Sequence, residues 1–265
     1  MIIREVTDFL ERIAPLHYQE SYDNAGLIVG LHDTEVKAGL ICLDATEAVI
    51  DEAMEMGCNL VIAHHPIIFQ GLKRLNGYHY IERAVLKAIK NDIAIYAIHT
   101  NLDNVLRYGV NEKIAQKIQL RDYKILRPKS EEYIGSGVVG RLDKPMTFEA
   151  FAEHLIKHME LPGFRYTKPL NGMIENVALC GGSGRFLLED AIAAGADAYL
   201  SADFKYHEYF EANDQIVIFD IGHYESEKFT IELLHELIIG KFSTFAGYCT
   251  KVNTNPLNYR YKNGS

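Results

Sequence analysis

The 265-residue sequence predicts an α/β protein of two similar halves, each organised on a mostly parallel sheet. Three observations carry this. Short apolar runs alternate with stretches of helical periodicity; a polar, unpatterned segment, Arg127-Pro128-Lys129-Ser130-Glu131-Glu132, interrupts them near mid-chain; and the alternation then starts again. Strand-helix-strand spacing of this kind builds parallel sheets covered by helices on both faces. A chain of this length accommodates two modest domains. The halves are therefore expected at 1–126 and 133–265, with no inserted domain at 127–134 and with the C-terminal strand free to return to the first half.

Taken in order, Val6, Phe9, Leu10 and Ile13 recur at helical spacing until Pro15 ends the pattern. A turn-like Ser21-Tyr22-Asp23-Asn24 leads into an apolar run over 25–29. Strand-like runs follow at 38–43, 59–63 and 93–98, with helical patterns at 46–56, closed by Gly57, at about 78–90 and at 110–118. In the second half, 133–142 is Gly-rich and strand-like, and Thr147 is placed to cap a helix reaching Met159. Strands at 174–180, 198–200 and 216–219 then alternate with helices at 186–194, 206–212 and 228–239.

Composition narrows the class. With 48% hydrophobic and 24% charged residues, the chain has the means to build a core. Its 27 basic and 36 acidic residues give a formal charge of −9, which argues against an extended nucleic-acid surface but not against a small anionic ligand at a locally positive site. Met1-Ile2-Ile3-Arg4-Glu5 begins no leader-like pattern, and no apolar run approaches the roughly 18 residues of a membrane span, so a cytoplasmic protein without membrane contact is expected. Cys42, Cys58, Cys180 and Cys249 stand singly with no C-x-x-C spacing and read as reduced residues, three of them in or beside apolar runs.

In parallel α/β sheets, ligands bind beyond the carboxyl ends of the strands. The residues found there are Asp44, His64-His65-Pro66, His99-Thr100-Asn101-Leu102-Asp103, Gly181-Gly182-Ser183-Gly184, Asp203 and Asp220-Ile221-Gly222-His223. Neighbouring strand residues point to opposite faces, so His64 and His65 suit two metal ions better than one. A hydrogen-bonded pair of strand-end histidines is the ordinary alternative. Asp103 shifts the balance, since a carboxylate at the end of the next strand is placed to bridge two cations. His223 and Glu227 sit four residues apart, one face of a helical turn. Three histidines and two carboxylates form a nitrogen-rich set suited to zinc, manganese or iron. Hydroxide between two such ions is a ready nucleophile at neutral pH. The glycine run 181–184 reads equally as an anion cradle at a helix start or as a tight turn. Lys205 and His207 are candidate acid/base or anion-contacting groups, evenly matched with a solvated helix start.

At these residues the chain resembles the NIF-three-like (NGG-interacting factor three-like) family of dinuclear-metal-centre proteins, also called type 2 homologues of GTP cyclohydrolase 1. Six segments carry the resemblance in register: Tyr22-Asp23-Asn24-Ala25-Gly26-Leu27, Ala63-His64-His65-Pro66-Ile67-Ile68-Phe69, His99-Thr100-Asn101-Leu102-Asp103, Gly181-Gly182-Ser183-Gly184, Lys205-Tyr206-His207 and Gly222-His223-Tyr224-Glu225-Ser226-Glu227. The resemblance implies that His64, His65, Asp103, His223 and Glu227 are metal ligands, with Asp103 bridging. It also implies a metal pair in the cleft between two α/β halves, and a toroidal homohexamer. Ser201-Ala202-Asp203 departs from the Thr-Gly-Asp or Thr-Gly-Glu common in the family. Three functions follow as expectations: a hydrolase of a small anionic, nucleotide-like substrate, with His207 or Lys205 as proton donor or anion contact; a GTP cyclohydrolase proper; or a metal-binding or regulatory assembly without turnover.

Overall fold

The computed structural model describes residues 1–129, 131 and 133–260. Ser130 and Glu132 of the polar break, and the last five residues of the expected second half, lie outside the described residues. The first part contains α1 (Ile3–Ile13), a 3-10 turn (Leu16–Tyr18), β1 (Gly26–Val29), β2 (Gly39–Asp44), α2 (Glu47–Glu55), β3 (Leu60–His65), α3 (Tyr80–Lys90), β4 (Ala94–Ala97), α4 (Thr100–Asp103) and α5 (Val110–Lys117). There follow β5 (Arg121–Pro128), β6 (Gly135–Met146), α6 (Phe148–Met159), β7 (Arg165–Tyr166), β8 (Ile174–Ser183), α7 (Leu188–Ala193), β9 (Ala198–Ala202), a 3-10 stretch (Tyr206–Ala212), β10 (Val217–Asp220), α8 (His223–Glu227), α9 (Thr230–Lys241) and β11 (Gly247–Cys249).

Two sheets result, ordered β1-β4-β3-β2-β11 and β5-β6-β8-β9-β10-β7. The first is parallel apart from the β1–β4 pair. In the second, parallel pairing is confined to β8-β9-β10, and β5, β6 and β7 are joined antiparallel. The short connection between β5 and β6 permits only a hairpin, because parallel neighbours need a crossover. β11 returns to pair with β2, so the last strand completes the first sheet.

Period-two alternation sorts each sheet's side chains into two layers. On β2, Leu40 and Cys42 join α2 and α3 residues such as Val49, Ile50 and Val85 on the outer face. Ile41, with Leu60, Ile62 and Tyr96, faces a single shared core that also takes residues of α1, α5, α6 and α9. The inner face of the second sheet, with Val138, Leu179, Leu200 and Phe219, closes that core from the other side. Its outer face carries α7 and the 3-10 stretch through Leu188, Ala191, Phe204 and Ala212. Each buried Leu, Ile or Phe contributes about 1.5–3 kcal/mol, so the shared core is what clamps the strand ends of the two sheets together.

Three elements differ from the sequence expectation. β5 carries exposed Arg121, Asp122 and Arg127 around a buried Ile125-Leu126 pair, the charged dress of an edge strand, which hides its pattern. Residues 100–103 form a helical turn rather than a plain connection. The 206–212 segment is 3-10 rather than α. The caps agree: Thr46 Oγ1 accepts from Val49 N and Thr147 Oγ1 from Ala150 N.

Candidate metal centre

The carboxyl ends of both sheets deliver their polar residues to one place. His64 and His65 end β3, and Asp44, at the end of β2, is in register with His65. His99 precedes α4, which carries Asp103 one turn further on. Gly222, at a positive φ of 91°, turns the chain after β10 into α8, whose His223 and Glu227 lie one turn apart.

Each of the four histidines is held by its Nδ1. That of His64 donates to the Ile98 carbonyl (2.8 Å), of His65 to Asp44 (2.8 Å), of His99 to Asp23 (2.8 Å) and of His223 to Asp203 (2.7 Å). A carbonyl only accepts, so His64 Nδ1 carries the proton and Nε2 keeps a lone pair. An oxygen behind the ring is the arrangement that fixes a metal-binding imidazole and raises its basicity. Asp23 is the most tightly held of these acceptors. Its enclosed carboxylate also takes Thr100 N (3.0 Å), Thr100 Oγ1 and Asn24 N (2.7 Å). Burial works against that charge, but donation by His99 and Thr100 outweighs it and holds the group down to about 2.

The Nε2 atoms of His64, His65 and His223 converge on Glu227, which is buried. Its Oε2 lies 3.0 Å from His65 Nε2 and 3.1 Å from His223 Nε2; its Oε1 is 3.9 Å from His64 Nε2. His64 Nε2 stands 3.7 Å from Asp103 Oδ1. The adjacent histidines were expected on opposite faces; instead both rings, 4.9 Å apart between centroids, close on the same carboxylate, one against each oxygen. Glu227 thus stands against the Nε2 atoms of three histidines, and Asp103 against that of His64. Among the described residues, three groups of side chains have mutual spacing that could hold a metal ion: His64, Asp103 and Glu227; His65, His223 and Glu227; and His64, His65 and His99.

The donors fit a cation on an observation of their own. His64 Nε2 and Asp103 Oδ1 are both buried and neither has a hydrogen-bond partner. Orphans of this kind cost about 1–3 kcal/mol each. Their 3.7 Å separation is too long for a hydrogen bond but fits two ligands that each stand about 2.0–2.2 Å from one ion.

Charge follows the same geometry. Burial opposes ionisation of Glu227, but His223, His64 and His65 overcome it and hold the carboxyl well below its ordinary range. Asp103 goes the other way, raised to about 7 by burial and by the charge of Glu227. Burial disfavours the charged forms of His65 and His223. Hydrogen bonds from His65 to Asp44 and Glu227 nevertheless raise it to about 10, while Glu227 and Asp203 raise His223 to about 11.

The glycine run does other work than cradling an anion. Gly181 N donates to Asn111 Oδ1 and Gly182 N to Ser226 Oγ, both at 2.9 Å, so these two donors are spent on protein groups. Gly182 has φ of +61°, and a Cβ there would lie 2.3 Å from Glu227 Oε1. The run ends β8 and lets Glu227 approach its backbone. Lys205 and His207 are not brought to the cluster: both are exposed at the 3-10 stretch, and neither lines the two cavities beside the histidines. Buried Phe204 anchors that stretch to the outer layer of the second sheet, which turns them away. Sequence reasoning gave no role to His99, nor to Asp23, Asp44 and Asp203 as orienting groups. Asp44 was findable from strand register with His65; Asp23, 76 residues before its partner, was not.

The chain is similar to known proteins over nearly its whole length. The family model Duf34/NIF3 (NGG1p interacting factor 3) matches residues 1–256. The chain belongs to the NIF3 family. A NIF3 relative named "GTP cyclohydrolase 1 type 2 homolog" from Clostridium perfringens is 34% identical over 230 residues, 86% of this chain and 87% of its own. Another of that name, from Staphylococcus epidermidis, is 26% identical over 98% of this chain and 100% of its own; the 370-position alignment exceeds the 265 residues here, so that relative has additional residues. The crystal structure of Staphylococcus aureus hypothetical protein SA1388 superposes with a TM-score of 0.93 at 30% identity, covering 98% of this chain and 99% of that one. Reduced HcgD from Methanocaldococcus jannaschii gives 0.80 at 27% identity, covering 95% and 98%. Among the described residues, no helix is long and apolar enough to cross a membrane.

Two outcomes are expected. Gly182→Ala, through its contact with Glu227, lowers metal content measured by elemental analysis, whereas Gly195→Ala, also at positive φ (+71°) but with open space around it, leaves metal content unchanged. Metal uptake strengthens as pH rises. With His65 and His223 raised to about 10 and 11, both are protonated at neutral pH, and a cation must displace those protons. Chelator competition should show affinity climbing from neutral pH until these values are passed. The charged pairs of the metal-free site run the opposite way, stabilising the fold below pH ~6.5 and fading towards 10–11.

Proposed function

We propose that this NIF3-family chain is a dinuclear-metal-dependent hydrolase of a small anionic, nucleotide-like substrate. The observation carrying the proposal is the division of Glu227, whose two oxygens face different donors: His64, itself beside Asp103, at Oε1, and His65 and His223 at Oε2. That division supports two divalent ions, drawn from zinc, manganese or iron. Such ions lower the pKa of bound water and polarise the bond to be broken.

The chain's own residues prepare the rest. Asp23, acceptor-only when ionised, accepts a hydrogen bond from His99 Nδ1–H, which leaves the lone pair on Nε2. His99 lines both cavities at the cluster, so that atom is within reach of a ligand on either side. Among the described residues no Lys or Arg lines these two cavities, and Arg165 of a third, which His223 also lines, is paired with Asp220, so the metal ions are the groups placed to meet an anion. The name of the relatives makes GTP one substrate to test. The family resemblance also supports a homohexamer.

Occupancy tests the division: Glu227→Ala should empty both positions, and Asp103→Ala only one, by elemental analysis of folded protein. Two ions retained by Glu227→Ala would overturn the shared carboxylate. For activity, the metal-loaded protein is incubated with GTP and with a panel of phosphate esters, and turnover should vanish in Glu227→Ala. Full metal with no turnover would favour a metal-binding or regulatory role instead.

A further inference from the structure

The larger cavity at the cluster, about 530 Å³, differs in character from the histidines at its floor. Its walls are Leu43, Pro66, Phe69, Tyr224, Pro256 and Leu257; His65, His99 and His223 reach it from below with Asp44 and Asp203 behind them. The apolar wall is partly made by a segment with no regular secondary structure, fixed by side chains. Thr254 Oγ1 donates to Asp44 Oδ2 (2.6 Å), and Asn255 Nδ2 donates to Glu225 Oε1 (2.9 Å). These bonds tie the tail to the first sheet on one side and to α8 on the other, so Pro256 and Leu257 are held over the histidines. The acids lining the cavity, Asp44 and Asp203, are already spent on His65 and His223.

From this we infer that the ligand carries a flat, uncharged ring lodged against Phe69 and Leu257, and a single anionic or chelating group directed at the histidines. The inference rests on the metal-centre reading above and adds the class of molecule. An apolar cavity with a few convergent polar groups is the usual form of a small-molecule site. The walls supply area to a ring. They offer nothing cationic to a polyphosphate: among the described residues the nearest-lying cavity with an arginine, Arg165, has that guanidinium paired with Asp220. Charge is thus recognised at one end of the ligand only.

The full chain, loaded with zinc or manganese, is titrated calorimetrically with benzohydroxamate and with acetohydroxamate, which share the chelating group and differ by the ring. Benzohydroxamate should bind at least roughly tenfold more tightly. Leu257→Ala and Phe69→Ala, with metal content unchanged, should each reduce that preference by roughly threefold or more. Equal affinity for the two probes, or a preference that survives both substitutions, would overturn the ring assignment while leaving the metal centre intact. Failure of the protein to take up metal would overturn both.

Discussion

One buried carboxylate organises the molecule. Glu227 sits where the strand ends of two sheets meet, and an uncompensated ion there would cost several kcal/mol. Its compensation comes from across the fold, from His65 and His64 of the first sheet and His223 of its own helix. The two sheets must be brought to within hydrogen-bonding distance of each other for this to happen. The shared core does so, with Gly181 and Gly182 allowing the backbone of the second sheet to pass close to Glu227.

Around that ion the histidines are set from behind. Asp44, Asp203, Asp23 and the Ile98 carbonyl each hold one Nδ1, so that rotation of any ring would break a bond of 2.7–2.8 Å. Three of these four supports are anionic, which explains how a chain can gather four imidazoles closely without mutual repulsion setting the geometry. Asp23, Asp44 and Asp203 thus set three carboxylates behind the rings where cations are expected to bind.

How much of this was legible in the sequence depends on distance along the chain. The alternation of strands and helices is a local pattern, and the ends of β3 and β8 announced themselves through His64-His65 and the glycines that follow. His223 and Glu227, one helical turn apart, could be paired by spacing alone. The approach of Glu227 to His64 and His65 could not, since it depends on how α8 is docked against β3. The same holds for Lys205 and His207, whose polarity suggested chemistry but whose direction is set by buried Phe204. β5 escaped because an edge strand is half solvated and its charges mask its period.

The return of β11 to the first sheet has a consequence for biogenesis. β11 pairs with β2, and beyond it Thr254 bonds to Asp44, 210 residues earlier. Loop closure over such a span is slow compared with local helix formation. During synthesis the first sheet therefore waits for residues 247–249 before its edge is covered, and Asp44 gains its bond from Thr254 only then. The same late segment supplies Pro256 and Leu257 to the cavity over the histidines. A nascent chain can thus form its strands while the site is still open to solvent, and the enclosure of the imidazoles waits for the segment that carries Thr254, Pro256 and Leu257.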